Sequence, residues 1–292
     1  MLLSTNLRRF LRLFSAIAIL IPLMAAAGEY ETARPSADDV QITSTPAGVE
    51  FATWGVTPAK PAPTLIILSG NMKDSLTRGS FLRAGELLAP KGYLCVTIDL
   101  PNHGAEAKPG YSNLSGWGKR AAAGDDFVAE FNDRMKQVVD HLITQGLTDP
   151  ERIAVTGTSR GGFMAIRYAA FDQRIKCAVG YAPVTDLRRL KEFDLALDVP
   201  SVDSMSLEAY VPQLVGRPIL IMIGDRDERV GTDAAYLFAR KLSEAAVATD
   251  VPSQVELRIL SEPRGHSMPS SVGLSAARWI YRILEGEELP TK

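Results

Sequence analysis

The sequence is poor in the residues that bind transition metals and has no excess of charge of one sign. Its 292 residues include three histidines and two cysteines, too few ligands for a His/Cys zinc cluster. Neither an H-E-x-x-H nor a G-x-x-x-x-G-K-[ST] pattern occurs, so zinc-metalloprotease and P-loop sites of those types are excluded. The 32 basic and 34 acidic residues leave a formal net charge of −2, which argues against nucleic-acid binding. We therefore expect no metal site and no nucleic-acid partner.

The N-terminal 27 residues have the pattern of a secretory signal peptide. Three arginines within residues 8–12 precede the apolar run 13–23, and Ala25-Ala26-Ala27 supplies a small-residue cleavage site. The run is shorter than the about 20 apolar residues of a transmembrane helix, although a retained N-terminal anchor is the alternative. We expect cleavage of residues 1–27, no stable membrane span afterwards, and a periplasmic or secreted protein.

Strand and helix patterns alternate along most of the chain. They follow a predicted linker at 28–44 and short β-rich pieces over 40–58 that suggest a hairpin. The apolar runs that predict the later strands lie at 64–70, 92–100, 152–158, 175–183, 218–225 and 255–260. This alternation predicts an α/β domain with a mainly parallel central sheet and helices on both faces. We expect one domain at 45–286 and a C-terminal tail at 287–292.

A glycine-rich turn separates the strand 152–158 from the helix that follows it. The turn Gly157-Thr158-Ser159-Arg160-Gly161-Gly162 contains the pattern G-x-S-x-G. A strand, a sharp turn and a helix are the setting of a nucleophile elbow, which exposes the serine above the sheet. The helix start supplies free N–H groups suited to a developing anion. Ser159 is therefore the candidate nucleophile, and a glycine-rich turn with an incidental serine is the alternative.

A serine nucleophile needs a base, and the sequence offers three histidines for that role. His141 lies within the amphipathic helix 127–144, so we expect it to be structural. His103 follows a predicted strand but precedes the serine in the chain. His266 follows the last predicted strand, at a carboxyl end where ligands bind in parallel sheets. His266 is therefore the candidate base.

The third member of the candidate triad is an aspartate between the serine and the histidine. Asp225 and Asp227 both lie at the end of the strand 218–225. The order Ser159, aspartate, His266 on successive strand ends is that of the α/β-hydrolases. The order alone leaves the choice between the two aspartates open.

Residues 45–285 resemble the α/β-hydrolase family. The doubled glycine of 157–162, the segment Ala182-Pro183-Val184-Thr185-Asp186 and the run Gly224-Asp225-Arg226-Asp227-Glu228-Arg229-Val230 resemble the dienelactone-hydrolase and prolyl-oligopeptidase-like branches. The resemblance implies an α/β-hydrolase fold. The segment between the predicted strands that end near Val184 and begin near Pro218 is short, so we expect a small lid or none. The resemblance also implies that Asp227 is the triad acid, with Asp225 as a loop or helix-cap residue.

The same resemblance implies an oxyanion hole made of two backbone N–H groups. One is that of Arg160, directly after the nucleophile, and the other comes from the loop Ser69-Gly70-Asn71-Met72. Relatives commonly carry His-Gly in this loop, so the departure leaves Asn71 and Met72 as alternatives, of which we choose Asn71. His103 lies in the loop after the next strand, where we expect it to organise the loop.

The two cysteines lie inside apolar runs that predict buried strands. Cys95 and Cys177 could form a bridge only with Cα atoms about 4.4–6.8 Å apart. The implied fold places their strands apart, with the serine strand among those between. We therefore expect two free thiols.

These features predict an exported serine hydrolase that cleaves a small-molecule carboxylic ester through an acyl-enzyme, without a cofactor. A serine peptidase of prolyl-oligopeptidase type is an alternative, although we see no room for the usual N-terminal propeller before residue 45. A non-catalytic binding protein is the other. The insertion 101–124 is predicted to wall the substrate pocket, with a solvated loop as its alternative. The sequence does not indicate the oligomeric state.

Overall fold

The computed structural model describes residues 29–55 and 58–291, and these form one eight-stranded sheet. The predicted signal peptide lies outside the described residues. The strands are β1 (Gln41–Ser44), β2 (Glu50–Trp54), β3 (Ala62–Leu68), β4 (Leu94–Thr97), β5 (Thr148–Thr158), β6 (Ile175–Tyr181), β7 (Ile219–Gly224) and β8 (Val255–Leu260). Their order is β1-β2-β4-β3-β5-β6-β7-β8, and all pairs from β4 to β8 are parallel. The structure confirms the predicted mainly parallel sheet.

Helices connect the parallel strands and cover the sheet. They are α1 (Met72–Thr77), α2 (Gly79–Leu82), α3 (Gly85–Leu88), α4 (Asn113–Ala122), α5 (Phe127–Thr144), α6 (Arg160–Phe171), α7 (Pro200–Met205), α8 (Val211–Leu214), α9 (Thr232–Ala248) and α10 (Val272–Glu285). Helix α10 packs against α3, whereas α5 packs against α6 and α8 contacts both α6 and α9. Strands β3 and β7 are buried along their whole length, as strands between two helical layers must be. This arrangement is the α/β-hydrolase fold.

The N-terminal boundary of the domain differs from the prediction. Residues 41–44, predicted as part of a linker at 28–44, form β1, which pairs antiparallel with β2 in the predicted hairpin. The preceding segment is attached as well, because Ala33 N–H donates to the carbonyl of Glu86. All four side chains of β1 are exposed at the sheet edge, so the strand lacks the alternating apolar pattern by which sequence reveals strands. Leu289, in the predicted tail 287–292, is also buried against the domain.

Both cysteines are free and buried, as predicted. Cys95 lies in β4 and Cys177 in β6, and the strands β3 and β5 separate them. Burial in the apolar sheet raises the pKa of both thiols, which disfavours the reactive thiolate. The two residues therefore act as small core side chains.

The insertion 101–124 is a packed element rather than a solvated loop. It contains α4, whose Trp117 is fully buried and donates from Nε1 to the carbonyl of Pro101 at 2.6 Å. Its backbone at Gly118 meets that of Glu192 so closely that a Cβ at Gly118 would clash with the Glu192 carbonyl. Glu192 belongs to the second insertion, 185–217, which contains α7, α8 and short 3₁₀ turns. The two insertions are therefore in direct contact.

No helix among residues 29–55 and 58–291 is both long enough and apolar enough to cross a bilayer.

Candidate active site

Ser159 lies on a strained turn between β5 and α6. Its backbone has φ 58° and ψ −117°, a conformation that non-glycine residues rarely adopt. The turn is held at the sheet edge because Ser159 N–H donates to the carbonyl of Tyr181 and Val184 N–H donates to that of Ser159. A Cβ at Gly161 would clash with the carbonyl of Leu68, so the close approach of α6 to β3 requires glycine there. This geometry is that of a nucleophile elbow.

The structure brings Ser159, His266 and Asp227 together from three strand ends. His266 Nε2 lies 2.9 Å from Ser159 Oγ, and His266 Nδ1 lies 2.8 Å from Asp227 Oδ2. When Nδ1 donates its proton to Asp227, Nε2 is left as the acceptor for the serine hydroxyl. The arrangement can therefore remove a proton from Ser159 as the hydroxyl attacks a carbonyl carbon.

The side chain of Asp227 is buried, and the residue is only 2% exposed. Its Oδ1 accepts hydrogen bonds from the backbone N–H groups of Arg229, at 3.1 Å, and Val230, at 3.2 Å. These donors satisfy the oxygen that does not contact the histidine. Asp227 is thus positioned to orient the ring of His266 and to stabilise its protonated form.

Asp225, the other candidate acid, holds the histidine loop in place. Its Oδ1 accepts from the backbone N–H of Glu262 at 2.9 Å, and its own N–H donates to the carbonyl of Leu260. Both partners lie at the end of β8, just before His266. The geometry therefore gives Asp225 a structural contact and gives Asp227 the contact to the base.

Two backbone N–H groups are available for an oxyanion. Arg160 is the first residue of α6, so its N–H has no intrahelical acceptor. In the other loop, Met72 N–H already donates to Asp99 Oδ1 at 2.7 Å. Asn71 caps α1 with its side chain, which accepts from Asp74 N–H at 2.8 Å. The occupied N–H of Met72 favours Asn71 as the second donor.

The other two histidines make contacts outside the hydrogen-bonded triad. His103 is 4% exposed and contacts the carbonyl of Pro101 through Nδ1 at 2.8 Å, with its ring edge on Trp117. It thereby connects its loop to α4, which agrees with the predicted organising role. His141 lies on α5 with its ring against Phe51. Among the described residues, no group of three or more His, Cys, Asp or Glu side chains is placed to hold a metal ion.

The burial of His103 should make the fold sensitive to acid. Desolvation lowers the pKa of His103 to about 4, from about 6.5 in an unfolded chain. The unfolded state therefore binds an extra proton as the pH falls from about 6.5 to about 4, and the folded state loses stability in that window. When the pH is lowered from 7.5 to 5, the free energy of unfolding should fall in both proteins. We expect this fall to be about 2 kcal/mol larger in wild type than in His103→Asn. Denaturant unfolding at both pH values measures this.

The control for that comparison is the wild-type protein, measured at the same two pH values. An equal loss of stability in wild type and His103→Asn would contradict the assignment of the buried histidine as the acid-sensitive group. Any constant cost of the substitution cancels, because each variant is compared with itself at two pH values.

One charged contact near the site is invisible in the sequence. Arg229, on the loop of the triad acid, forms an ion pair with Glu192 of the second insertion, with N–O distances of 2.7 and 2.8 Å. The two residues are far apart in the chain, and no pattern in the sequence pairs them. Only the tertiary fold brings them together.

Comparison with known proteins identifies the family. The model of the prolyl oligopeptidase family, a family of serine peptidases termed S9, matches residues 87–272, which include the elbow, Asp227 and His266. The chain belongs to the prolyl oligopeptidase family. With the triad geometry, this membership makes it a serine hydrolase of the α/β-hydrolase superfamily.

Individual proteins that are similar to this chain include peptidases and an esterase. Over 62 residues, or 20% of this chain and 8% of the relative, it is 42% identical to dipeptidyl peptidase family member 2 of Caenorhabditis elegans. Dipeptidyl peptidase 4 of Porphyromonas gingivalis aligns with a TM-score of 0.62 and 19% identity over 84% of this chain and 35% of that one. An esterase of Pyrococcus furiosus aligns with a TM-score of 0.57 and 19% identity over 88% of this chain and 96% of that one. The chain thus spans about a third of the length of the bacterial dipeptidyl peptidase.

Proposed function

We propose that this member of the prolyl oligopeptidase family is a serine peptidase that forms an acyl-enzyme on Ser159. The observation that carries the proposal is the hydrogen-bonded series Ser159, His266, Asp227 in a chain of a peptidase family. The family match supports a peptidase better than the carboxylesterase predicted from the sequence. The N-terminal pattern at residues 8–27 further supports action outside the cytoplasm.

The proposed reaction is a double displacement. His266 Nε2 takes the proton of Ser159, and Oγ bonds to the acyl carbon as the carbonyl oxygen becomes an oxyanion bound by the N–H groups of Arg160 and Asn71. His266 then gives that proton to the leaving amine, and the C–N bond breaks. Water attacks the acyl-enzyme with His266 again as base, and the C–Oγ bond breaks to release the acid and restore Ser159.

A carboxylesterase is the second candidate, and one observation favours it. The chain covers 96% of the Pyrococcus furiosus esterase but 35% of the Porphyromonas gingivalis dipeptidyl peptidase. The chain therefore aligns with almost the whole of that esterase. The triad geometry serves either reaction, because an alcohol can leave in place of the amine.

The two candidates differ in the leaving group that they tolerate. We expect the purified protein to take up one fluorophosphonate per chain at Ser159, seen by intact mass, and to cleave aminoacyl or acylaminoacyl p-nitroanilides. Turnover should disappear in Ser159→Ala. The measurement is kcat/KM on a panel of these anilides beside p-nitrophenyl acetate, each with the Ser159→Ala control.

Turnover of p-nitrophenyl acetate without turnover of any anilide would replace the peptidase with the carboxylesterase. A folded protein that takes up no fluorophosphonate and cleaves neither class would overturn both, and would indicate a binding protein built on the hydrolase fold. Circular dichroism of each sample establishes that the variants are folded.

A further inference from the structure

A cavity of about 810 Å³ lies behind the loop that carries His266. Residues 30–34 line one side, α2 and α3 line another, and the loop 264–270 with the start of α10 closes the third. We call this cavity the Arg83 pocket. None of the triad residues lines it, so it is a space distinct from the elbow itself.

Arg83 is a buried cation that forms no ion pair with any of the described residues. The residue is 8% exposed, and its Nε is buried without a hydrogen-bond partner. Among the described residues, no carboxylate forms an ion pair with its guanidinium, which instead lies 5.0 Å from the ring centroid of Tyr181. Burial lowers the pKa of Arg83, and the more distant negative charge of Glu86 offsets that loss of hydration only in part.

The other charges of the Arg83 pocket are already paired. Arg34 contacts Glu86 Oε1 from Nε at 2.6 Å, and Glu86 is the one acid among the described residues that line the cavity. Arg264 contacts Glu262 at 2.5 and 2.7 Å. Arg83 is thus the charge left over. An unpaired buried charge is costly to a fold, and such groups persist where a ligand or partner supplies the opposite charge.

The Arg83 pocket adjoins the reaction centre at two points. Met268 and Pro269, which line it, follow His266 directly in the chain. On its inner side Arg83 lies over Tyr181, whose carbonyl accepts the N–H of Ser159 at 2.8 Å. A ligand in the pocket would therefore contact the loop of the base directly, and would reach Tyr181 only through Arg83.

We propose that the Arg83 pocket binds a carboxylate of a small organic molecule, with Arg83 as its charge partner. A planar guanidinium pairs with a carboxylate through parallel N–H···O bonds, and the neighbouring hydroxyls of Ser80 and Ser270 add further donors. The carboxylate belongs either to the substrate or to a separate ligand. The idea that the carboxylate belongs to the substrate rests on the proposed function, whereas the existence of the carboxylate site does not.

The test measures binding first, without turnover. The inactive variant Ser159→Ala is titrated calorimetrically with glutarate and with glutaramide, which has the same carbon chain but no charge. We expect glutarate to bind and to raise Tm, and glutaramide to bind at least tenfold more weakly. In the Ser159→Ala background, Arg83→Gln should weaken glutarate binding at least tenfold. Arg83→Lys should weaken it by less, because lysine keeps the positive charge but lacks the planar guanidinium that pairs with a carboxylate. Arg240→Gln, on the exposed face of α9, is the matched control and should change nothing.

Equal binding of glutarate and glutaramide, or unchanged binding in folded Arg83→Gln, would overturn the proposal. The comparison of glutarate with glutaramide needs no Arg83 variant, so it stands even if Arg83→Gln fails to fold. In the active protein, competitive inhibition by glutarate identifies the substrate as the source, and binding without competition identifies a separate ligand; both support a carboxylate site. Loss of the proposed function would appear instead as absent labelling of Ser159 with glutarate binding intact.

Discussion

Replacing Ser159 by alanine is expected to reduce kcat by about 10⁴- to 10⁶-fold, and His266→Ala should cost about as much. Without Oγ there is no atom to form the acyl-enzyme, and without Nε2, at 2.9 Å, nothing removes the hydroxyl proton. The two residues act as one unit, so the double variant should be no slower than the worse single variant. The measurement is kcat on the best substrate of the panel, together with fluorophosphonate labelling, which Ser159→Ala should abolish.

Matched controls are available elsewhere on the molecule. Ser204→Ala on α7 and His141→Ala on α5 remove the same side chains away from the nucleophile, and each should keep near-wild-type kcat. Residual activity of Ser159→Ala within tenfold of wild type would exclude Ser159 as the nucleophile. Additive losses in the double variant would show that the serine and the histidine do not act in one step.

Asp227→Asn is expected to lower kcat by about 10⁴-fold while leaving the fold intact. An amide in place of the carboxylate can donate to Nδ1 of His266, which moves the ring proton to Nε2 and removes the acceptor for the serine. The backbone donors of Arg229 and Val230 would still find an oxygen on the asparagine, so the loop should keep its shape. The measurement is kcat, with Tm as the check on folding.

Asp225→Asn is the control that separates the two aspartates. Its side-chain oxygen can still accept the N–H of Glu262, so the histidine loop should stay in place and kcat should fall less than tenfold. A larger loss in Asp225→Asn than in Asp227→Asn would reverse the assignment of the acid. The pair differs by two positions in the chain, which makes the comparison a direct test of the observed contact.

The sequence predicted the parts of the fold whose burial leaves a periodic or continuous apolar pattern. Strands β3 and β7 are buried throughout and mostly apolar because helices cover both faces of the sheet. Helix α5 matches its predicted range of 127–144 because one stripe of its surface is buried. The elbow was predictable because its geometry restricts residue type: the close approach at Gly161 excludes every side chain. Each of these features depends on residues that are close together in the sequence, so the sequence alone could reveal it.

The rest depended on contacts between distant segments. The sequence around Met72 does not show that its N–H donates to Asp99 and that the N–H of Asn71 is the one left for an oxyanion. Asp99 and Met72 come together only in the folded sheet. The edge strand β1 buries no side chain and therefore leaves no pattern. Arg83 resembles an ordinary surface arginine in the sequence, and its unpaired burial is a property of the packing around it.

The contacts among Gly118, Glu192 and Arg229 limit how this protein could be re-engineered. The backbone of Gly118 meets that of Glu192, whose carboxylate holds Arg229 on the acid loop. The three segments form one continuous module, although they lie far apart in the chain. If only one insertion were replaced by that of a similar protein, its contacts with the other insertion and with the acid loop would be lost beside the triad. We therefore expect a chimaera to be functional only when both insertions and the acid loop are exchanged together.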